Sequence, residues 1–281
     1  MKYKRLSPLR YPGGKAKILD FIIKIIEENA CVNAQYVEPY AGGAGVALGL
    51  LISGYVSKIH INDVDPAISA FWEIILNNTE QFIKKIYDTK ITIFEWEKQK
   101  IVYNNLENYN KFDRAFSVFF LNRSNRSGVI TGGCIGGKQQ NGQYKIDARF
   151  NKENLVKRIE NIAQYKDKIK IYNQDTIELL EHNKKEFKNA IIYLDPPYYK
   201  KGYCLYKNYY KHNDHVKIFN IVRELYGYWI VSYDNVPQIL EIYSGIKKKE
   251  FNVKYSAGNN KIGKEIMFFS NNLKIPNIKV C

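Results

Sequence analysis

The chain has 281 residues, a formal net charge of +15 and four cysteines that lie far apart in the sequence. No run of about 18 apolar residues is present, so no membrane span is expected, and the cysteine spacing favours neither a disulfide framework nor a metal site. The charge favours a polyanionic partner such as nucleic acid. However, an AT-rich genome would also produce a composition rich in Lys and Asn, so the positive charge alone does not establish that the protein binds nucleic acid.

A glycine-bearing loop at residues 8–15 precedes the first helical pattern, which begins near Ile18. The two glycines of this loop allow the backbone to approach a ligand closely. Tyr11 and Lys15 flank them and would provide an aromatic platform and a cation. The alternative is that the loop is a plain entry into the helix.

A predicted strand at residues 35–38 runs into a glycine-rich turn, and an apolar helical pattern follows. This strand–turn–helix arrangement is typical of a nucleotide-type site, with Glu38 and Gly42 at the strand end. The turn lacks the Gly-x-Gly-x-x-Gly pattern, which disfavours a dinucleotide, and it lacks the Gly-Lys-Ser/Thr of a phosphate-binding loop.

A second predicted strand, at residues 58–62, ends at Asp63. An acid at about this distance from the first strand can accept hydrogen bonds from ribose hydroxyl groups. The alternative for Asp63 is a helix N-cap, but Asp65 is better placed for that role because it directly precedes Pro66, which can open a helix.

The composition changes between residues 76 and 165, where glycine, asparagine and basic residues accumulate after an apolar run. We interpret residues 122–141 as a hairpin or long loop, which is usually a functional segment in a compact domain. Arginine, asparagine and lysine suit phosphates and base edges, although a flexible surface loop is the alternative. The candidate DNA-binding residues of this loop are Asn122, Arg123, Asn125, Arg126 and Lys138.

A third strand near residues 170–173 is followed by Asp175, which could accept a hydrogen bond from the adenine amine of a nucleotide-type cofactor or cap the next helix. A fourth strand at 190–194 ends at Asp195-Pro196-Pro197-Tyr198. Because proline cannot donate to a sheet ladder, the strand stops there in a stiff turn. A carboxylate, free carbonyl groups and an aromatic ring at this edge suit a flat heterocycle with an exocyclic amine.

A fifth strand is predicted at residues 228–233, and the segment 251–270 alternates apolar and polar residues around a Gly-Asn-Asn-Lys sequence. This pattern predicts a terminal hairpin with a polar tip. Asn259 and Lys261 at the tip are candidates for a second nucleic-acid contact.

The loop at 11–15, the glycine turn at 38–45, Asp63 and the Asp-Pro-Pro-Tyr turn at 195–198 occur in an order that resembles the Dam-type, D12 class DNA adenine-N6 methyltransferases. The resemblance covers nearly the whole chain and implies a site for S-adenosylmethionine. In that family, residues matching Tyr11, Lys15, Asp63 and Asp195 hold this cofactor, and the glycine turn lies beneath its methionine part. One departure is mild, since the family often has Phe where Tyr40 stands.

The expected fold is α/β, a Rossmann-like, mostly parallel seven-stranded methyltransferase sheet with an inserted DNA-recognition subdomain. We assign residues 1–75 and 166–281 to the catalytic domain and residues 76–165 to target recognition. The expected protein is bacterial or phage-encoded and acts on double-stranded DNA in the cytoplasm. No membrane and no metal are expected, and a cognate restriction endonuclease is left open. The alternatives are an N4-cytosine or RNA amino-methyltransferase, and a basic nucleic-acid-binding module without activity.

Overall fold

A computed structural model of the protein describes residues 6–10, 18–200, 210–254 and 262–280. The strands are β1 (Gln35–Glu38), β2 (Lys58–Asn62), β3 (Ile169–Tyr172), β4 (Ile191–Leu194), β5 (Tyr228–Asp234), β6 (Lys247–Lys254) and β7 (Ile262–Phe269). The helices are α1 (Leu19–Glu28), α2 (Gly45–Ile52), α3 (Pro66–Asn77), α4 (Thr79–Asp88), α5 (Ile93–Asn104), α6 (Lys111–Ser124), α7 (Lys152–Ala163), α8 (Thr176–His182), α9 (His212–Arg223) and α10 (Pro237–Ile242). Short 3₁₀ turns lie at Leu106–Asn108, Arg126–Gly128, Lys166–Lys168 and Glu186–Asn189.

The seven strands form one sheet in the order β3-β2-β1-β4-β5-β7-β6. The pairs from β3 to β5 are parallel, whereas β7 runs antiparallel to both β5 and β6. The predicted mostly parallel seven-stranded α/β fold is therefore confirmed, and so is the terminal hairpin. The strand order changes direction between β1 and β4, which is the place where open α/β sheets bind their ligands.

Both faces of the sheet are buried, as parallel strands require. Tyr36, Ile191 and Ile230 point into a core that includes apolar side chains of helices α1 to α7. The next residues along the same strands, Val37 and Ile192 among them, point into a second core formed with α8, α9 and α10. The parallel pairing of β1 with both β2 and β4 places the carboxyl ends of these three strands side by side at one edge of the sheet.

The start of α3 shows how local sequence fixes an element next to this edge. Asp65 is the N-cap, and its side chain accepts a hydrogen bond from the backbone N–H of Ala67 at 2.8 Å. Pro66 occupies the first helical position, where a missing N–H costs no helical hydrogen bond. Both features were predicted from the sequence, and they leave Asp63 outside the helix.

Helices α4 to α7 lie in the chain between α3 and β3 and pack onto the sheet domain without a separate core. Phe71 of α3 stacks on Phe119 of α6, with ring centroids 5.8 Å apart and planes inclined by 3°. Phe82 of α4 packs edge-on against the same two rings. Helices α4 and α6 thus pack directly against α3. Among the described helices, none combines the length and apolar character needed to cross a bilayer.

Candidate active site

Asp195 follows the last residue of β4 and is partly exposed, while Pro196 and Pro197 behind it are buried. The hydroxyl group of Ser232 on β5 donates a hydrogen bond to Oδ1 of Asp195 at 2.7 Å. The phenol of Tyr193 lies 2.8 Å from the same serine oxygen. Because the single serine proton points at the carboxylate, Tyr193 must donate to Ser232. The carboxylate is therefore the end of a directed chain of hydrogen bonds.

Tyr198, the last residue of the predicted motif, is buried, and its phenol donates a hydrogen bond to the carboxylate of Glu265 on β7. The backbone N–H groups of Tyr199 and Lys200 donate to the two carboxylate oxygens of Asp234, at 2.9 and 3.0 Å. The turn after β4 is thus attached to the neighbouring strands by both its side chains and its backbone.

Glu38 is a buried residue at the end of β1. The strand order changes direction between β1 and β4, so Glu38 and Asp195 lie on opposite sides of that change. One carboxylate oxygen of Glu38 accepts hydrogen bonds from the N–H of Ala47 at 3.0 Å and from the phenol of Tyr36 at 3.2 Å. Burial raises the pKa of Glu38 to about 8, and the nearby Asp195 carboxylate contributes to the same shift. A cationic ligand at this position would favour the ionised form.

Asp63 lies beyond the end of β2 and accepts two backbone hydrogen bonds, from Gly42 at 3.0 Å and from Asp65 at 2.9 Å. Gly42 has a φ of 44°, a left-handed conformation that glycine adopts without strain. Burial raises the pKa of Asp63 to about 7, with a further contribution from Asp65. The glycine turn and the β2 acid therefore form one connected unit.

These groups fit S-adenosylmethionine, which carries an ammonium group, a sulfonium centre and two ribose hydroxyl groups. Three carboxylates, those of Glu38, Asp63 and Asp195, lie at adjacent strand ends. Each carboxylate can accept hydrogen bonds from the ammonium or hydroxyl groups of such a ligand. Asp175 is exposed and caps α8 by accepting from the N–H of Ile177 at 2.8 Å. The capping role offered as its alternative is therefore present, and a contact of Asp175 to the cofactor stays a prediction.

Four predicted site residues, Tyr11, Lys15, Asn259 and Lys261, lie outside the described residues. The cofactor and nucleic-acid contacts expected of them stay predictions. Within the part of the chain that is described, no three His, Cys, Asp or Glu side chains are grouped so that they could hold a metal ion.

The predicted DNA-binding loop begins later than expected, because α6 continues through Ser124. Asn122 is buried and hydrogen-bonds the N–H and carbonyl of Arg10, both at 2.6 Å, as well as the carbonyl of Gly128. Its amide is occupied by backbone groups, so the expectation that it reads a base edge is corrected to a structural role.

Arg123 and Asn125 are corrected in the same way, because both are buried. The guanidinium group of Arg123 donates to the carbonyl of Arg149. Asn125 accepts from the indole N–H of Trp96 at 2.6 Å and donates to the carbonyl groups of Val129 and Ile130. A side chain whose donors and acceptors are used internally is not available to DNA.

Arg126 and Lys138 are exposed and remain candidates for DNA contacts. Arg126 begins a short 3₁₀ turn directly after Asn125, and Lys138 forms an ion pair with Glu97 at 2.8 Å. Asn125 also makes an isolated antiparallel bridge to Cys134, which closes the turn that begins at Arg126. The structure thus presents a compact turn rather than two strands.

Sequence reasoning missed Ser232, Asp234 and Glu265, which hold the turn after β4. The available signal was the sequence Ser-Tyr-Asp at the end of a predicted strand, where alternate residues share a face. Glu265 gave no comparable signal, because only the antiparallel register of β7 on β5 brings it to the site.

The sequence pattern of the D12 class N6 adenine-specific DNA methyltransferase family matches residues 11–257 of the chain. The chain belongs to this family. It is therefore an adenine-specific DNA methyltransferase, and family membership implies S-adenosylmethionine as the methyl donor. The resemblance drawn from the motifs is confirmed.

M.MjaIII, a Type II methyltransferase of Methanocaldococcus jannaschii, is 25% identical to this D12 class enzyme over 207 residues, which cover 68% of each chain. Among solved structures, a Pyrococcus horikoshii protein provisionally assigned as an RNA methyltransferase matches with a TM-score of 0.44 and 12% identity. That match covers 93% of this chain and 85% of the other.

Proposed function

We propose that this enzyme transfers a methyl group from S-adenosylmethionine to N6 of an adenine flipped out of double-stranded DNA. The observation that carries the proposal is the Asp195-Pro196-Pro197-Tyr198 turn, held at the end of β4 beside the change in strand order. Membership of the D12 class supports adenine in DNA as the substrate.

Carboxylates at the strand ends would hold the cofactor, which supplies an electrophilic methyl group when bound. Asp63 would suit the ribose hydroxyl groups, and Glu38, together with the turn at Gly42, would suit the methionine ammonium group. Tyr11, Lys15 and Asp175 are proposed as further contacts to the cofactor, on the strength of the family resemblance and of the strand-end position of Asp175.

The chemistry assigned to the turn is positioning together with electrostatic stabilisation. Asp195 and a carbonyl oxygen of the proline turn accept the two amine hydrogens and draw the nitrogen lone pair out of conjugation with the ring. As the nitrogen forms its bond to the methyl carbon, the bond from that carbon to sulfur would break and its electron pair would stay on the departing sulfur, while positive charge develops on the amine. The Asp195 carboxylate would stabilise that charge, and the amine would then release one proton to solvent.

The target base must leave the stack, because N6 inside a duplex is poorly placed for in-line attack. Tyr198 is the proposed stacking partner of the flipped base, and its ring is fixed by the hydrogen bond to Glu265. A fixed ring reduces the conformational freedom that would otherwise be lost when the base binds.

Residues 76–165 are proposed to recognise the target, with the remainder of the chain as the catalytic domain. Arg126 and Lys138 are exposed on this segment and suit contacts to bases or phosphates. Asn259 and Lys261 are proposed as a second contact. Because the relative M.MjaIII is a Type II methyltransferase, we also propose that this enzyme acts beside a cognate restriction endonuclease.

The test is transfer of labelled methyl groups from S-adenosylmethionine to unmethylated genomic DNA, followed by digestion and identification of the modified nucleoside. We expect N6-methyladenine. Asp195→Ala should lower turnover by about 10²–10³-fold and leave the dissociation constant for DNA nearly unchanged, because the carboxylate acts on the reacting amine. N4-methylcytosine as the product, methylation of RNA alone, or a variant with more than half of wild-type turnover would contradict the proposal.

A further inference from the structure

The turn that follows β4 is attached to two other strands by three acidic or hydroxyl side chains. Ser232 donates to the side chain of Asp195, Asp234 accepts from the backbone of Tyr199 and Lys200, and Glu265 accepts from the phenol of Tyr198. We refer to Ser232, Asp234 and Glu265 as the clamp.

The placement of the clamp follows from strand geometry. Ser232 and Asp234 are two residues apart on β5, so their side chains share one face. In the antiparallel ladder between β5 and β7, Asp234 is the partner of Glu265. The three side chains therefore form one patch, which faces the turn after β4 because β5 is the parallel neighbour of β4.

This patch is unfavourable for folding when considered alone. Acidic residues directly opposite each other on neighbouring strands destabilise a sheet, and burying a carboxylate is costly. Glu265 is completely buried and Asp234 is half-buried. Pairs of acidic residues that destabilise a sheet are expected at functional sites, where a precise arrangement of side chains is kept although it lowers the folding stability.

We infer that Ser232 and Glu265 are positioning residues of the methyl-transfer reaction, which fix the Asp195 carboxylate and the Tyr198 ring in their working orientations. Neither residue is assigned a contact with substrate or cofactor. The inference rests on the proposed catalytic role of the turn. It goes beyond that role because it states that side chains of β5 and β7 keep the turn in its active geometry.

The Ser232 bond restricts the Asp195 carboxylate because Ser232 itself is held by the phenol of Tyr193. Oδ1 of Asp195 is engaged by this donor, so rotation of the carboxylate is restricted and Oδ2 keeps one direction. A fixed acceptor requires little reorganisation at the moment of reaction. Without the serine hydroxyl, the carboxylate would lose this restraint on its orientation, and misplacement of about 1 Å can cost about 10²-fold in rate.

The experiment measures kcat, KM for unmethylated genomic DNA and the dissociation constant of S-adenosylmethionine for Ser232→Ala and Ser270→Ala. Ser270 is the matched control, because its side chain is also buried and bonds the backbone of β5, at Trp229, without touching the turn. We expect Ser232→Ala to lower kcat by about tenfold or more. KM for DNA and the dissociation constant of S-adenosylmethionine should both stay within about twofold of wild type. Ser270→Ala should keep kcat.

Glu265 is tested with a conservative pair of variants. Glu265→Gln keeps an oxygen that can accept from the Tyr198 phenol, whereas Glu265→Ala removes it. We expect the glutamine variant to retain most of the wild-type kcat and the alanine variant to lose it, with thermal unfolding showing that both are folded. If Glu265→Ala does not fold, Tyr198→Phe removes the same hydrogen bond from the other side and should lower kcat.

Asp195→Ala distinguishes failure of the proposed function from failure of the positioning role. If Asp195→Ala retains turnover, the proposed function of the turn fails whatever the other variants do. If Asp195→Ala is inactive while Ser232→Ala and Glu265→Ala match the Ser270→Ala control, the function stands and the positioning inference is overturned.

Discussion

At the scale of single residues, the buried asparagines near the end of α6 show how one chemistry serves two purposes. An amide that can read an adenine by a donor and an acceptor can equally bind one N–H and one carbonyl of a backbone. Asn122 does so with Arg10, and Asn125 joins Trp96 to the following turn. Burial decides between the two uses, and here it assigns both residues to structure.

Arg126 is the exposed residue beside these amides, and replacing it tests base recognition. Because arginine can bond a guanine edge with two hydrogen bonds, worth about 1–3 kcal/mol of discrimination, Arg126→Ala should relax the methylated motif at one base position. An exposed side chain contributes little to folding, so the stability should change by less than about 0.5 kcal/mol. Single-molecule sequencing of DNA from expressing cells reports the motif.

The control for this measurement is Arg223→Ala, which removes another exposed arginine from α9 on the opposite face of the sheet. The motif should be unchanged in that variant. If Arg126→Ala keeps the shape of the motif profile while affinity and its salt dependence fall, Arg126 contacts a phosphate group and base recognition lies elsewhere.

At the scale of elements, the turn after α6 depends on a close backbone approach at Gly128. This residue has a φ of 77°, and a Cβ atom there would lie 2.3 Å from the carbonyl oxygen of Arg10. Segment 6–10 and the turn carrying Arg126 are therefore packed backbone to backbone. The contact connects the segment proposed to recognise DNA to the residues that directly precede the predicted cofactor loop at 11–15.

Gly128→Ala should destabilise the protein more than an ordinary glycine replacement. Gly54→Ala is the matched control, since Gly54 has a φ of 78° and a Cβ atom at that position would have no neighbour within 4 Å. In both variants, alanine must adopt a left-handed backbone conformation, which costs about 1–2 kcal/mol of folding stability. Only in Gly128→Ala does the new Cβ atom also clash with a backbone atom, which typically adds about 1–3 kcal/mol. Urea unfolding measures the difference, and equal losses would contradict the packing described here.

At the scale of the whole molecule, buried ionisable groups give the folding stability an unusual dependence on pH. Burial lowers the pKa of His60 and His215 to about 4, and it raises the pKa of Glu38 to about 8 and that of Asp63 to about 7. A raised carboxyl pKa means that the folded state holds a proton that the unfolded state has released. Such a group loses its stabilising contribution as pH rises towards its folded pKa.

The histidine contributions have the opposite sign and are complete above about pH 6.5, the ordinary pKa of histidine. Between about pH 6.5 and pH 8, the free energy of unfolding of the cofactor-free enzyme should therefore fall. Glu38→Gln should flatten that fall, because glutamine can still accept from Ala47 but does not titrate. Urea titrations at the two ends of this range measure the effect, with Glu28→Gln on the surface as the control. If the free energy of unfolding of Glu38→Gln falls with pH as steeply as that of the wild type, groups other than Glu38 cause the fall.

Sequence alone determined the features that depend on neighbouring residues. The strand at 190–194 follows from a short apolar run, and those at 35–38 and 58–62 from short segments that contain β-favouring residues such as Val37 and Ile59. The stop at Pro196 follows from the missing N–H of proline. The cap at Asp65 and the order of the motifs were also readable, and the motif order indicated the D12 class that the family match confirms. These signals are local, so no knowledge of the packing was needed.

The tertiary structure alone decided which polar side chains are available for function. Asn122, Arg123 and Asn125 satisfy backbone groups that are distant in sequence or follow a turn, and only packing of α6 against them buries these side chains. Likewise, Ser232 and Glu265 reach the turn after β4 because of strand order and antiparallel register. Burial and cross-strand pairing are long-range properties, and composition or periodicity within a segment does not specify them.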